Sequence, residues 1–161
     1  MTPSVATWTS AIGYYFAKEI IAKTGVPVGM INTCMGGTPI KSYIPADVFN
    51  ADKELVDNIK GPKPGGMHNS MVHPVQRFAC KGFLWYQGEA DWMYYKYYPK
   101  AQLTLMEYWR ENFNCPEDAP FYYVQLAPYG NGMAWDKLNG FYMSGYIESY
   151  ALMREAQGNI R

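Results

Sequence analysis

Apolar positions along this chain follow two rhythms that alternate: stripes spaced three to four residues apart, and short unbroken runs. Behind a capping Thr9 or Ser10, the residues Ile12, Tyr15, Phe16, Ile20 and Ala22 give one apolar face of a helix that stops at Gly25, with Pro27 just beyond. Residues 26–31 are a run with β-branched members and predict a buried strand. Pro45 opens a second helix over 45–60, striped by Val48, Leu55, Val56 and Ile59, and the GPKPGG sequence at 61–66 is a loop. Residues 82–86 predict a second strand. Tyr94, Tyr97, Tyr98, Ala101, Leu103, Leu105 and Trp109 mark a helix within 93–112 that begins after the interruption at Pro99. Residues 121–126 predict a third strand, with Gln125 as a hydrogen-bonded core amide, running into APYGNG; 142–155 predict a last helix. Such alternation predicts an α/β protein, a parallel sheet sandwiched between helices with right-handed crossovers.

Composition narrows the function more than the fold. The 161 residues are one domain's worth of chain, 48% hydrophobic and 17% charged, as in an ordinary globular protein. Fourteen basic residues balance fourteen acidic ones, so the electrostatic footprint of a nucleic-acid binder is missing. No apolar run is long enough to span a membrane, and MTPSVATWTS lacks the basic-then-apolar order of a signal peptide. Fifteen Tyr and five Trp supply rings of the kind that stack on sugars, which favours a carbohydrate-like ligand.

Candidate chemistry gathers where apolar runs end in turn-forming polar residues. Phe83 to Tyr86 lead into Gln87-Gly88-Glu89, and a parallel sheet binds ligands at that kind of edge. The strand at 26–31 leads likewise into INTCMGGTPIKSY, where Gly36-Gly37 can bend sharply and offer a backbone N–H to an incoming oxygen. The two histidines, His68 and His73, are five residues apart with no acid between them, which does not match a helical zinc pair; they read as polar loop residues beside Pro74. Ser70 between them lacks a strand-to-helix elbow and reads as structural. Cys34, Cys80 and Cys115 are odd in number and widely spaced, so they define neither a disulfide framework nor a metal site.

The stretches INTCMGGTPI, NSMVHP, KGFLWYQGEAD, PFYYVQLAPY and LMREAQ occur in the order and rough spacing of the sialate O-acetylesterase-like carbohydrate esterases, a branch of the SGNH hydrolase superfamily, which the chain resembles over residues 11–157. The resemblance implies a three-layer α/β/α, flavodoxin-like domain that removes acetyl groups from sugars, needs no cofactor or metal, and is secreted or periplasmic. It implies attack on the ester by a serine, assisted by histidine and aspartate, through a tetrahedral oxyanion. On this chain it puts the oxyanion donors at Gly37 and Gln87, with Gly36, Glu89 and Trp85 as substrate-binding positions.

This sequence also departs from the family's pattern. No Gly-Gln-Ser-Asn-like block precedes the first helix and no Asp-x-x-His block follows REAQ, and Ala90 stands where the family usually has serine. We therefore expect one SGNH-type domain over residues 1–161 that is the central part of an esterase, incomplete at both ends, and inactive in isolation. Its unpaired sheet edges predict association with itself or with the missing segments. Two other classes stand beside this reading. One is a noncatalytic carbohydrate-binding or scaffold domain using Trp85, Trp92, Tyr94 and Tyr95. The other is a cysteine hydrolase built on Cys34, with only His68 and His73 as bases.

Overall fold

In the computed structural model, residues 9–128 and 143–160 are described, with side chains of the last helix described from 149 onward. Residues 129–142, which hold most of APYGNG and the expected start of the last helix, lie outside the described residues. The chain divides into two compact units, residues 1–34 and 35–161.

The first unit contains helix α1, Ala11–Thr24. Ser10 caps it by accepting from the Gly13 N–H at 3.3 Å, a bond that contributes about 1 kcal/mol in helices generally. Gly25 ends it in the left-handed conformation, its N–H donating to the Ile21 carbonyl at 2.8 Å. The expected apolar face is only partly used: Gly13 and Ala17 are buried, whereas Ile12 and Tyr15 are exposed. Residues 26–31 form no strand, and Val26, Met30 and Ile31 are exposed. An apolar run shows only that a segment favours burial; a strand also needs a neighbour whose N–H and C=O groups it can satisfy.

In the second unit the expected helix over 45–60 is two short ones, α2 (Ala46–Ala51) and α3 (Lys53–Asn58). Asp52 makes the break, because its carboxylate accepts from the Glu54 and Leu55 N–H groups and so starts a new helix. Lys100 then ties this end to α4 (Tyr98–Asn112) through ion pairs with Asp52 at 2.7 Å and Glu54 at 2.6 Å. The histidine segment is helical rather than a loop, a π turn over His68–Val72 followed by a 3-10 turn over His73–Val75.

Two strands, β1 (Phe83–Trp85) and β2 (Phe121–Tyr123), pair in parallel with Phe83 opposite Phe121 and Trp85 opposite Tyr123. Parallel neighbours need a crossover, and α4 supplies it. Ala101, Leu105, Met106 and Trp109 bury one side of α4, and Trp109 reaches Phe83, Trp85 and Phe121 at ring separations of 5.5, 5.7 and 5.9 Å. Each such aromatic gains roughly 1.5–3 kcal/mol from leaving water. The last helix, α5 (Met143–Gly158), buries Tyr150, Met153 and Gln157 at helical spacing. The described residues thus combine helices with a small two-stranded parallel sheet, compatible with an α/β fold. Among the described residues no helix is long and apolar enough to cross a membrane.

Candidate functional site

The carboxyl ends of β1 and β2 are where the motif stretches meet. Beyond Trp85 the chain turns at Gly88, whose φ of 144° strongly favours glycine. A Cβ there would also come within 3.0 Å of Gln157 Nε2 and 3.1 Å of Leu126. The turn therefore brings the Gln87 carboxamide back into the protein, where it is 8% exposed.

A chain of donors and acceptors fixes that carboxamide. The Trp85 indole can only donate, and it donates to the Tyr98 hydroxyl at 3.1 Å. Tyr98 has one proton to give, and two Gln87 oxygens share it, Oε1 at 3.0 Å and the backbone carbonyl at 3.1 Å. With its oxygen turned to Tyr98, Gln87 directs its amide hydrogens to two acceptors: the Thr38 carbonyl at 3.1 Å and Asp91 Oδ2 at 2.5 Å. The backbone carbonyl of Gln87 is held by Gln157 Nε2 at 3.0 Å, while Gln157 Oε1 accepts the Leu126 N–H at 2.9 Å. Gln157, fully buried, thereby joins the ends of both strands to α5.

Asp91 ties the same edge to the glycine turn. Its Oδ2 also accepts the Ile40 N–H at 2.7 Å, and its Oδ1 has no hydrogen-bond partner among the described residues. Burial pushes this carboxyl up to about 6, against the opposing pull of the Ile40 and Gln87 hydrogen bonds and of the Lys41 charge. Burial pushes the Lys41 ammonium down, and that group donates to the Ile59 carbonyl at 3.3 Å.

The glycine turn itself is open. Gly37 has a φ of 74° and empty space where a Cβ would project, so glycine is required there by backbone conformation rather than by crowding. The turn is held at its flanks: the Met35 N–H donates to the Tyr43 hydroxyl at 3.1 Å, and the Thr38 hydroxyl donates to the Met35 carbonyl at 2.6 Å. Tyr43 in turn packs edge-on against Trp85 at 5.3 Å. Among the described residues neither the Gly36 nor the Gly37 N–H has an acceptor, and both glycines are exposed. Gln87 is thus bonded to Thr38, the residue that follows Gly36 and Gly37 in the turn.

The other expected site residues divide. Glu89 is exposed and lines a cavity of about 280 Å³ with Tyr86, Leu126, Ala127, Pro128 and Tyr150, at the same sheet edge. Trp85 is a core side chain, 6% exposed, and it reaches the edge by way of Tyr98 and Tyr43. Trp92, Tyr94 and Tyr95 are half-buried against the core. Gln125 is exposed rather than core, although its Nε2 donates to the Arg154 carbonyl at 2.7 Å. Ser70 is exposed and donates to the Gly66 carbonyl at 2.9 Å, and Cys34 is exposed as well. His68, buried, and His73 lie on either side of Gln76, whose amide contacts their rings at 3.3 and 3.2 Å. Asp91, Tyr98 and Gln157 were not among the expected site residues. Two of them sit inside the quoted motifs, in QGEAD and REAQ, and that position is the one sequence signal that could have marked them.

With this geometry described, similarity to known proteins identifies the class. The family model for carbohydrate esterase, sialic acid-specific acetylesterase, matches residues 4–154, and the chain belongs to that family. Its relatives include the sialate O-acetylesterases of Pongo abelii and Homo sapiens, each 30% identical over 134 residues that cover 74% of this chain and 26% of theirs. The Rattus norvegicus sialate O-acetylesterase is 25% identical over 164 residues, 76% of this chain and 30% of its own. The chain therefore spans under a third of the length of these relatives. No solved structure matches it.

Proposed function

We propose that residues 1–161 are the oxyanion-binding part of a carbohydrate O-acetylesterase that removes acetyl groups from sugars, sialic acids being the class that its relatives' names suggest. In this reading the chain is the central portion of a three-layer, flavodoxin-like SGNH domain, and the serine nucleophile, histidine and aspartate come from blocks before and after it. The histidine takes the serine proton as Oγ attacks the acetyl carbonyl carbon, and the carbonyl π electrons move onto oxygen. The Gly37 N–H and the Gln87 amide stabilise that oxyanion until the C–O bond to the sugar breaks. The histidine protonates the departing sugar oxygen, and water then releases acetate from the acyl-serine. Gly36 and Glu89 flank the acyl and sugar positions, while Trp85 serves the site by orienting Tyr98.

The observation that carries this reading is the free Gly37 N–H on a turn that Gln87 holds through the Thr38 carbonyl at 3.1 Å. Both Gln87 amide hydrogens are engaged at rest, so Gln87 reaches the oxyanion by releasing the longer of its two bonds, that to Thr38. The test uses the full-length esterase and a chromogenic acetate ester. Gln87→Ala should lower kcat by roughly 10²- to 10³-fold with little change in KM. An unchanged kcat would overturn the assignment. The 161-residue chain alone should turn over the ester no faster than buffer.

One observation favours a second reading, a carbohydrate-binding surface without hydrolysis. The cavity beside Glu89 is lined by Tyr86 and Tyr150, and the Gln87 carboxamide is already fully bonded. Sugar binding by the isolated chain, measured by calorimetry and lost in Glu89→Ala, would support it. Tyr122 and Val124 are exposed on and just after β2, which supports association with another chain; a strict monomer by light scattering would count against that.

A further inference from the structure

At the opposite end of the sheet the sequence shows only two distant cysteines, and the fold makes them neighbours. Ala79 and Asn114 form an isolated parallel bridge, and the Cys80 N–H donates to the Asn114 carbonyl at 3.0 Å. One step further in the same register stand Cys80 and Cys115. Positions of equal parity on paired strands project to the same side, and the backbones of paired strands lie about 5 Å apart. That spacing falls inside the window of roughly 4.4–6.8 Å between Cα atoms that a disulfide requires. Both thiols are free and half-buried, and both line one cavity of about 350 Å³ with Ala79, Lys81, Asn114 and Pro116. Burial, and next the neighbouring Cys115, push the Cys80 thiol up, as expected of two half-buried thiols side by side.

We propose that Cys80 and Cys115 are a disulfide-forming pair that locks the entry to β1 against the entry to β2. The bridge would close the segment that contains β1, the QGEAD turn and α4, so it would hold the sheet together from the end away from Gln87. Its formation is an exchange with a small-molecule disulfide. The Cys115 thiolate attacks one sulfur of oxidised glutathione, breaking that S–S bond and releasing one glutathione thiolate, which takes up a proton. The Cys80 thiolate then attacks the Cys115 sulfur of the mixed disulfide, and the second glutathione leaves and is protonated. Two protein thiols are oxidised to one disulfide and one glutathione disulfide is reduced to two thiols. Cys34, exposed and in the other unit, stays outside the exchange as a free thiol or a glutathione adduct.

The test incubates the full chain with oxidised glutathione, quenches with iodoacetamide under denaturing, non-reducing conditions, and maps the tryptic peptides by mass spectrometry. A peptide pair linked through Cys80 and Cys115 is expected, together with a rise in Tm of several degrees that dithiothreitol reverses. Cys34→Ser should keep both results, and Cys80→Ser or Cys115→Ser should lose both. Peptide mapping of the unmodified sequence decides the matter even if a variant folds poorly. Separate glutathione adducts on Cys80 and Cys115, unreacted thiols at both, or links that join either to Cys34 would overturn the proposal. The outcome does not depend on esterase activity.

Discussion

The two ends of the β1–β2 sheet are built from different materials. At the carboxyl end, side-chain hydrogen bonds join Thr38, Ile40, Gln87, Asp91, Tyr98, Leu126 and Gln157 across separations of up to 70 residues. At the amino end, Phe83, Trp109, Phe113 and Phe121 meet ring to ring within 5.9 Å, and the polar links there are backbone bonds such as Cys80 N–H to Asn114, together with a long bond from Arg110 Nε to the Ala119 carbonyl at 3.4 Å. Apolar packing tolerates small displacements because it has no direction. A carboxamide in the role proposed for Gln87, presenting one hydrogen to a reacting oxygen, would not tolerate them, so each of its neighbours has to be satisfied and fixed. The amino end chiefly supplies stability, and the carboxyl end chiefly supplies geometry.

The largest expected effect tests the amino end. Phe83→Ala removes a ring that touches Trp109, Phe113 and Phe121, and should cost about 3–5 kcal/mol in urea unfolding of the chain. Because the substitution leaves every Gln87 bond in place, kcat per folded molecule of the full-length esterase should stay unchanged. A parallel fall in kcat would show that the two ends are not separable.

Asp91 tests the carboxyl end through pH. Its folded-state value of about 6 lies above the ordinary carboxylate range, so the folded protein holds the proton more tightly than the unfolded chain. The stability this group contributes is complete below about pH 4 and is lost as pH rises through about 6, on the order of 3 kcal/mol in all. Asp91→Asn is neutral at every pH and should remove that part of the slope. The variant should match the parent near pH 4 and exceed it in stability near pH 7, as measured by denaturant midpoints. In the full-length enzyme the same variant should lower kcat, because a neutral amide holds Gln87 and the Ile40 N–H more weakly than a carboxylate does. A parent whose stability is flat between about pH 4 and 6 would contradict the burial argument.

How far the sequence could reveal all this depended on the distance between partners. Residues 83–85 and 121–123 were legible as strands because their apolar runs coincide with real pairing, and Gly25 marked its helix end because its role is local. Residues 26–31 carry the same apolar signal without a ladder, since pairing is a property of two segments and a run describes one. The break at Asp52 was hidden under a continuous stripe, although an aspartate with two following N–H groups in reach is a local signal. Gly37 and Gln87 stood out as polar or turn residues ending apolar runs. Tyr98 and Gln157 did not, because a buried polar side chain on a helix looks like any other member of the stripe until its acceptor is known. The meeting of Cys80 and Cys115 was invisible for the same reason, since their register is set by Ala79 and Asn114.

The smallest expected effect concerns Gln157, and it separates a positioning role from plain packing. Gln157→Met preserves length and volume while removing the acceptor for the Leu126 N–H and the donor to the Gln87 carbonyl. Leaving the buried Leu126 N–H unpaired should cost about 1–3 kcal/mol, a loss that thermal unfolding can read, while the Gln87 carbonyl keeps the Tyr98 hydroxyl at 3.1 Å. If Gln157 only fills space, the kcat of the full-length enzyme should be untouched, because methionine fills it as well. If it fixes the Gln87 backbone, kcat should fall while KM holds, since the carbonyl it releases belongs to the residue whose amide is the proposed oxyanion donor. Gly88→Ala approaches the same contact from the other side, driving a Cβ to within 3.0 Å of Gln157 Nε2, and should reproduce the kcat loss. A stability loss in both variants with kcat intact would reduce this corner of the network to packing and leave Asp91 as the residue that orients Gln87.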